Sequence, residues 1–175
     1  ASSIIGNLEG VAYASRDRAN RATLAREIEK ARAALAAERK RTDPAWGPGY
    51  GVGGRRASRL GILQERMDNL LDIEEALEPP SKAPSRFLIS LSQDQLPLAA
   101  VAIGNLDTTR SVTFAVPGMG TTTRDMRVWA HAAQNLFDEQ LRAAPPANGA
   151  VVAWVGYRPP PVPLSQGQFQ VLGNE

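Results

Sequence analysis

The 175-residue sequence contains no cysteine, which excludes disulfides and thiolate chemistry and leaves the redox character of its compartment open. It has one histidine, His131, and no group of side chains with metal-ligand spacing, so no metal and no cofactor is expected. Aromatic residues make up 6%, which limits the core to a modest size. No apolar run approaches the roughly 18 residues of a membrane-spanning helix. Neither sign of charge dominates. Twenty basic and 18 acidic residues give a net charge of +2, a mixed surface and not the footprint of a nucleic-acid binder. No signal-peptide pattern is visible, yet the chain starts at Ala1 and not at Met, so removal of an upstream segment is expected. Both a cytoplasmic and a secreted location remain open.

What is present is a change of pattern near residue 81. Residues 1–80 read as a helical hairpin region, and 81–175 as the first strands and helix of an α/β domain. Asn7, Gly6 and Gly10 predict turns in the short apolar start. A helix is expected from about Ala14 to Lys40, with Leu24, Ile28, Ala31 and Leu35 on one face at spacings of three and four. The polar run Arg16 to Asn20 is denser than a first helical turn needs, and reads as a solvated face or as a salt-bridged docking surface. Residues 44–54 hold five glycines between Trp46 and Gly54. No Lys-Ser or Lys-Thr follows them, so they are read as a connecting loop and not as a phosphate loop. A second helix is expected from about Ala57 to Leu77, stopped by Pro79 and Pro80.

Beyond Ser85 the signals are those of strands. Phe87–Leu91 and Leu98–Ile103 are close enough for an antiparallel pair. Val112–Val116 carries β-branched and aromatic residues and is expected to be a buried, central strand. A helix over about Thr123–Ala143 and the apolar strand Val151–Val155 complete a strand–helix–strand unit with parallel strands. The proline-rich tail from Gly156 is expected to be extended.

The chemistry centres on Pro117–Thr123, P-G-M-G-T-T-T. At the carboxyl end of a strand in an open α/β sheet, such a turn is where ligands bind. Gly118 and Gly120 permit a sharp turn and close approach, and backbone N–H groups near Met119 could face an anion or a transient oxyanion. Thr121, Thr122 and Thr123 could cap the helix or donate hydroxyls. The plainer reading is a strand-to-helix turn with a threonine cap. No G-x-S-x-G elbow and no Ser-His-acid set is present, and His131 reads as a surface or interface residue.

Three separated stretches, N-L-E-G-V-A-Y-A-S-R-D-R-A-N-R (Asn7–Arg21), V-A-I-G-N-L-D-T-T-R-S-V-T-F-A-V-P-G-M-G-T-T and V-V-A-W-V-G-Y-R-P-P, resemble an actinobacterial α/β-hydrolase family formerly catalogued as a domain of unknown function. The resemblance covers the chain from Asn7 to about Pro160. It implies the N-terminal portion of an α/β-hydrolase sheet preceded by a long helical hairpin. It further implies that the Met119 backbone is one oxyanion donor, flanked by Gly118 and Gly120. Thr121, Thr122 and Tyr157 then line the pocket for a small acyl ester. In the family the nucleophile elbow, usually G-H-S-Y-G, and then the acid and histidine follow a further strand, and none has a counterpart here. The implied partner is the C-terminal portion of the same precursor as a second chain. The isolated chain is expected to expose an open strand edge. A noncatalytic interaction module on the same scaffold is the alternative, and a phosphate-binding module ranks third.

Overall fold

The computed structural model describes residues 2–41, 52–118, 120–143 and 148–158. Four α-helices and one four-stranded sheet follow in the order α1 (Ser2–Ile5), α2 (Tyr13–Lys40), α3 (Val52–Ala76), β1 (Arg86–Leu91), β2 (Ala99–Ile103), β3 (Ser111–Ala115), α4 (Met126–Ala143) and β4 (Gly149–Val155), with a short 3-10 turn at Thr123–Asp125 leading into α4. The α3 helix starts five residues before the expected Ala57 and includes Gly53 and Gly54. The rest of the glycine-rich stretch, with Trp46 and Tyr50, lies outside the described residues, as does the tail beyond Arg158.

Spatial strand order is β1-β2-β4-β3. The β1–β2 and β2–β4 pairs are antiparallel and the β3–β4 pair is parallel. Strand alternation sorts the sheet residues onto two faces. Leu88, Leu91, Val101, Ile103, Val151, Ala153 and Val155 join Leu24, Ile28, Leu35, Met67, Leu70, Ile73, Met126 and Ala130 in one buried cluster. All three long helices therefore cover the same face. Ile89, Ala100, Ala102 and Val152 form a smaller cluster on the other, with Tyr13, Leu106 and Trp154 against it. A register shift between Leu88 and Ser90 reconciles β1 with this division, because Leu88 and Leu91 can share a face only if one residue is bulged out. The polar partners Glu38–Arg59, Arg39–Gln64 and Glu27–Arg66 pair α2 with α3 in reversed order, as antiparallel neighbours do.

The Arg16–Asn20 region is not idle surface. It seals the outer edge of β1. The Leu88 amide donates to Asp17 Oδ1 at 2.6 Å, Asn20 Nδ2 donates to the Leu88 carbonyl at 3.0 Å, and Arg21 Nη2 donates to the Arg86 carbonyl at 2.8 Å. Farther along, Asn7 accepts from the Leu91 amide and donates to the Leu91 carbonyl, imitating a strand residue with its side chain. The start of α2 is closed in turn by Asp107 of the β2–β3 loop, whose two carboxylate oxygens accept from the Tyr13 and Ala14 amides. The N-L-E-G-V and R-D-R-A-N-R motifs thus bind the sheet edge, and G-N-L-D returns the contact.

One expectation is corrected. β3 is the edge strand and is not buried: Val112 is 41% and Phe114 59% exposed. Among the described residues only β4 lies beside it, and Val112 and Phe114, in register with Ala150 and Val152, are on the sheet face opposite α4, whose Gln140 meets the intervening Thr113.

Candidate functional site

The sheet places three chain segments at one end. Strands β3 and β4 are parallel, so the segments that follow Ala115 and Val155 emerge together. Strand β2 runs the other way, with Ala99 opposite Val155, so the residues that lead into β2 arrive at that same end. Between these segments lies a half-open cleft of about 440 Å3, lined by Leu96, Pro97 and Leu98 from one segment, Gly120–Thr123 from the second, and Val155, Tyr157 and Arg158 from the third. Position and size are those of a ligand cleft in an open α/β sheet.

The turn after β3 is held from several sides. Gly120 has φ +75°, a conformation costly for a residue with a Cβ, whereas Gly118 lies outside that region and has open space where a Cβ would stand. Thr122 caps the helix: its Oγ1 accepts from the Arg124 amide at 3.2 Å, while its own amide donates to Asp125 Oδ2 at 3.2 Å, completing a capping box. Thr123 is buried, with its hydroxyl 2.7 Å from Asn69 Oδ1 of α3 and 2.8 Å from the Pro97 carbonyl. Its one proton serves one of these acceptors at a time. The Tyr157 hydroxyl crosses the cleft to donate to the Pro117 carbonyl at 2.6 Å, and its ring centroid is 6.0 Å from that of Trp154. Three segments, from α3, from the entry to β2 and from the end of β4, therefore converge on the described residues of the turn.

Helix α3 also braces the first turn of α4. Asp72 Oδ2 accepts from the Arg127 amide at 2.8 Å. Burial raises the Asp72 carboxyl above its ordinary range. The Arg127 amide and charge oppose that shift, and the charges of Glu75 and Asp125 add to it.

Of the six positions expected to form the site, Thr121, Thr122 and Tyr157 line the cleft together with Gly120. Gly118 is exposed beside the turn, and Met119 lies outside the described residues. His131 is exposed on α4, away from the cleft, beside Asn135. Ser92 donates to Asp94 and accepts from the Leu98 amide, and Ser90 donates to Asn7, so both hydroxyls serve loop and edge structure. Among the described residues no group of three or more His, Asp and Glu side chains could hold a metal ion. Sequence reasoning missed Leu96–Leu98 and Asn69. The first three were legible in principle, since an antiparallel second strand brings its entry to the carboxyl end of the fourth. Asn69 carried no signal beyond being a polar residue within an apolar helical stripe.

Residues 93–174 match the model of a family described as alpha/beta hydrolase. Two uncharacterized proteins from two strains of Mycobacterium tuberculosis are each 30% identical over 167 residues, a match covering 89% of this chain and 24% of theirs. The chain thus spans about a quarter of the length of the curated relatives it matches. No solved structure matches.

Proposed function

With the first strands of an α/β-hydrolase sheet behind a helical hairpin in hand, we propose that this chain forms the oxyanion and substrate-binding side of a serine hydrolase acting on carboxylic esters. The observation that carries the proposal is the half-open cleft at the carboxyl end of the parallel pair, bounded by the Gly120 turn and by Tyr157, which bonds to Pro117. In this reading the backbone N–H of Met119 is one of two donors to the tetrahedral oxyanion. Gly118 and Gly120 add no side chain on either side of Met119 where the carbonyl approaches. The Ser nucleophile, the acid and the His base come from the C-terminal part of the same precursor, whose next strand adds beside β3. The serine attacks the ester carbonyl, the histidine takes its proton and then delivers it to the leaving alkoxide, and water releases the acid in the second half-reaction.

The free β3 edge, and the exposed Val112 and Phe114 on the sheet face next to it, support this partnership. The role of residues 1–80 is positioning: Asn69 and Asp72 of α3 hold Thr123 and the start of α4, and hence the turn. The test is labelling of the full-length polypeptide with a fluorophosphonate probe, together with hydrolysis of p-nitrophenyl esters. Labelling on a serine outside this chain, with co-purification of both parts after any cleavage, is the expected result. A full-length protein that folds, takes no label and turns over no ester would refute the reading and leave an interaction module on a hydrolase scaffold.

A further inference from the structure

Arg86, the first residue of β1, is only 6% exposed, yet among the described residues no carboxylate pairs with its guanidinium. Nη1 donates to the Ala76 carbonyl at 2.8 Å, at the end of α3. That helix end satisfies one donor, and its dipole favours the charge. Nε is buried without a partner, and Nη2 makes no hydrogen bond to a described residue. The unused Nε–Nη2 edge is the one that grips a carboxylate side-on, with two parallel donors in a fixed plane. Asn20 Oδ1 and Gln134 Oε1 are also buried and unpartnered, but only Arg86 carries a charge. Charges taken out of water are ordinarily paired, because their desolvation is costly. Burial accordingly pulls the Arg86 pKa below its ordinary value.

Arg86 lines a cavity of about 420 Å3 between the end of α3 and α4, together with Glu75, Glu78, Arg127, His131 and Asn135. The other polar groups of this wall are engaged with one another or stand at its exposed side. Arg127 lies 3.4 Å from Glu75 and 3.8 Å from Asp72. His131 Nδ1 lies 3.4 Å from Asn135 Nδ2, and Glu78 is exposed. The buried charge on the wall is Arg86, and no described side chain neutralises it. Arg86 stands opposite Ile103, and Ile103 opposite Val151, whereas the cleft described above lies beside Val155. The two concavities share no lining residue. We propose that this second cavity is a binding site for a small carboxylate ligand, held side-on by the Nε–H and Nη2–H of Arg86. The site is independent of the hydrolase reading.

The test uses the full-length polypeptide with isotopically labelled arginine, and follows the Nε–H signals by NMR. The Arg86 signal is the one missing in Arg86→Lys. Arg86→Met, which keeps the length without the charge, serves for the assignment if the lysine variant does not fold. Sodium acetate is expected to shift this signal in a saturable way, while acetamide and sodium chloride at equal concentration shift it by less than about a tenth as much. No response to acetate would overturn the site, as would an equal response to chloride or a response to inorganic phosphate alone. Glu78→Gln provides the internal control. If that substitution alone moves the Arg86 signal as far as acetate does, and in the opposite direction, Glu78 already holds the edge and the proposal fails. A saturable acetate response in a protein that hydrolyses no ester would sustain this site while the hydrolase reading fell.

Discussion

Gly6 and Asn20 offer a sharp test of how the N-terminal segment holds the sheet. Asn20 is fully buried, and its Nδ2 donates to the Gly6 carbonyl at 2.8 Å and to the Leu88 carbonyl at 3.0 Å. A Cβ placed on Gly6 would lie 1.8 Å from Asn20 Oδ1 and 2.5 Å from Cγ, a collision that no small adjustment relieves. Gly6→Ala must therefore expel the Asn20 side chain. The Leu88 carbonyl then loses its edge partner, while the Gly6 carbonyl keeps Arg16 Nε at 3.2 Å. One buried acceptor left unpaired costs about 1–3 kcal/mol. Displacing a fully buried side chain adds to that, so a total of about 2–4 kcal/mol is expected. Asn20→Ala makes the same acceptor unpaired but removes a buried Oδ1 that has no partner, so its cost is lower, about 1–3 kcal/mol. The three atoms nearest the added Cβ all lie beyond the Asn20 Cβ, so the double variant has no collision and should be about as stable as Asn20→Ala alone. Urea denaturation of the four proteins, followed by circular dichroism, gives the coupling, which equals the cost of Gly6→Ala alone and is expected at about 2–4 kcal/mol. Additive single effects, with coupling below about 0.5 kcal/mol, would refute the packing argument.

Glu27 joins α2 to Lys30 and to Arg66 of α3. Burial works against its charge, but hydrogen bonds from Lys30 and Arg66 and their charges outweigh it and hold the carboxyl below its ordinary range. A depressed acid stabilises the fold above its unfolded pKa, and the contribution is lost as pH falls through the lower folded value. Glu27→Gln should cost about 1–2 kcal/mol at neutral pH, because Arg66 keeps its bonds to the Asp94 and Gln95 carbonyls, and should flatten the acid limb of a stability–pH profile. Asp72 has the opposite sign. Its raised carboxyl stabilises the fold when protonated, and that contribution is lost as pH rises through the folded value. Asp72→Asn keeps an acceptor for the Arg127 amide, so thermal melts at pH 7 should move by no more than the equivalent of about 1 kcal/mol while the loss of stability on raising pH through the acidic range disappears. At the turn, Gly120→Ala should cost about 1–2 kcal/mol for its left-handed backbone, whereas Gly118→Ala should lie within about 0.5 kcal/mol, and equal costs would contradict the geometry.

The long helices and the strands of the sheet were legible because their apolar periods are regular. Leu24, Ile28, Ala31 and Leu35 recur at helical spacing and all four are buried. The apolar run in β4 correctly signalled a strand buried on both faces and parallel to β3. The place of β3 in the sheet was not legible. A run such as V-T-F-A-V has the same composition whether it is central or at an edge, and only the order of pairing decides. The exposed side of α4 was not legible either: Leu136 and Leu141 are apolar yet remain partly exposed, while Gln134 is buried with Nε2 donating to Asp138. The site was half legible. Glycines and threonines after a strand announce a capped turn, and Thr122 takes the cap. Nothing local announces that Tyr157, forty residues away, would bind Pro117, because that contact exists only once β3 and β4 are paired.

The two edges of the sheet are treated in opposite ways, and the difference bears on function. At β1 the outward amides of Leu88 and Leu91 and the carbonyls of Arg86, Leu88 and Leu91 are each taken by a side chain from the first 21 residues. No further strand can pair there without displacing Asp17, Asn20 and Asn7. The cover is polar and specific, as protection against edge-to-edge association requires. At β3 no described residue performs that service, and the side chains exposed there are Val112 and Phe114, which charge-bearing protective edges avoid. A sheet whose β1 edge is closed by dedicated hydrogen bonds, and whose β3 edge has no neighbour among the described residues, has a single direction in which to grow. The cleft lies at the end of the β3–β4 pair, next to that open side, so a strand added parallel to β3 brings its own following loop to the rim of the cleft. On the proposed hydrolase reading, this placement fits a catalytic group delivered by a strand added at β3 better than one housed in the helical hairpin, whose contacts to the sheet are spent on the β1 edge and on bracing the turn.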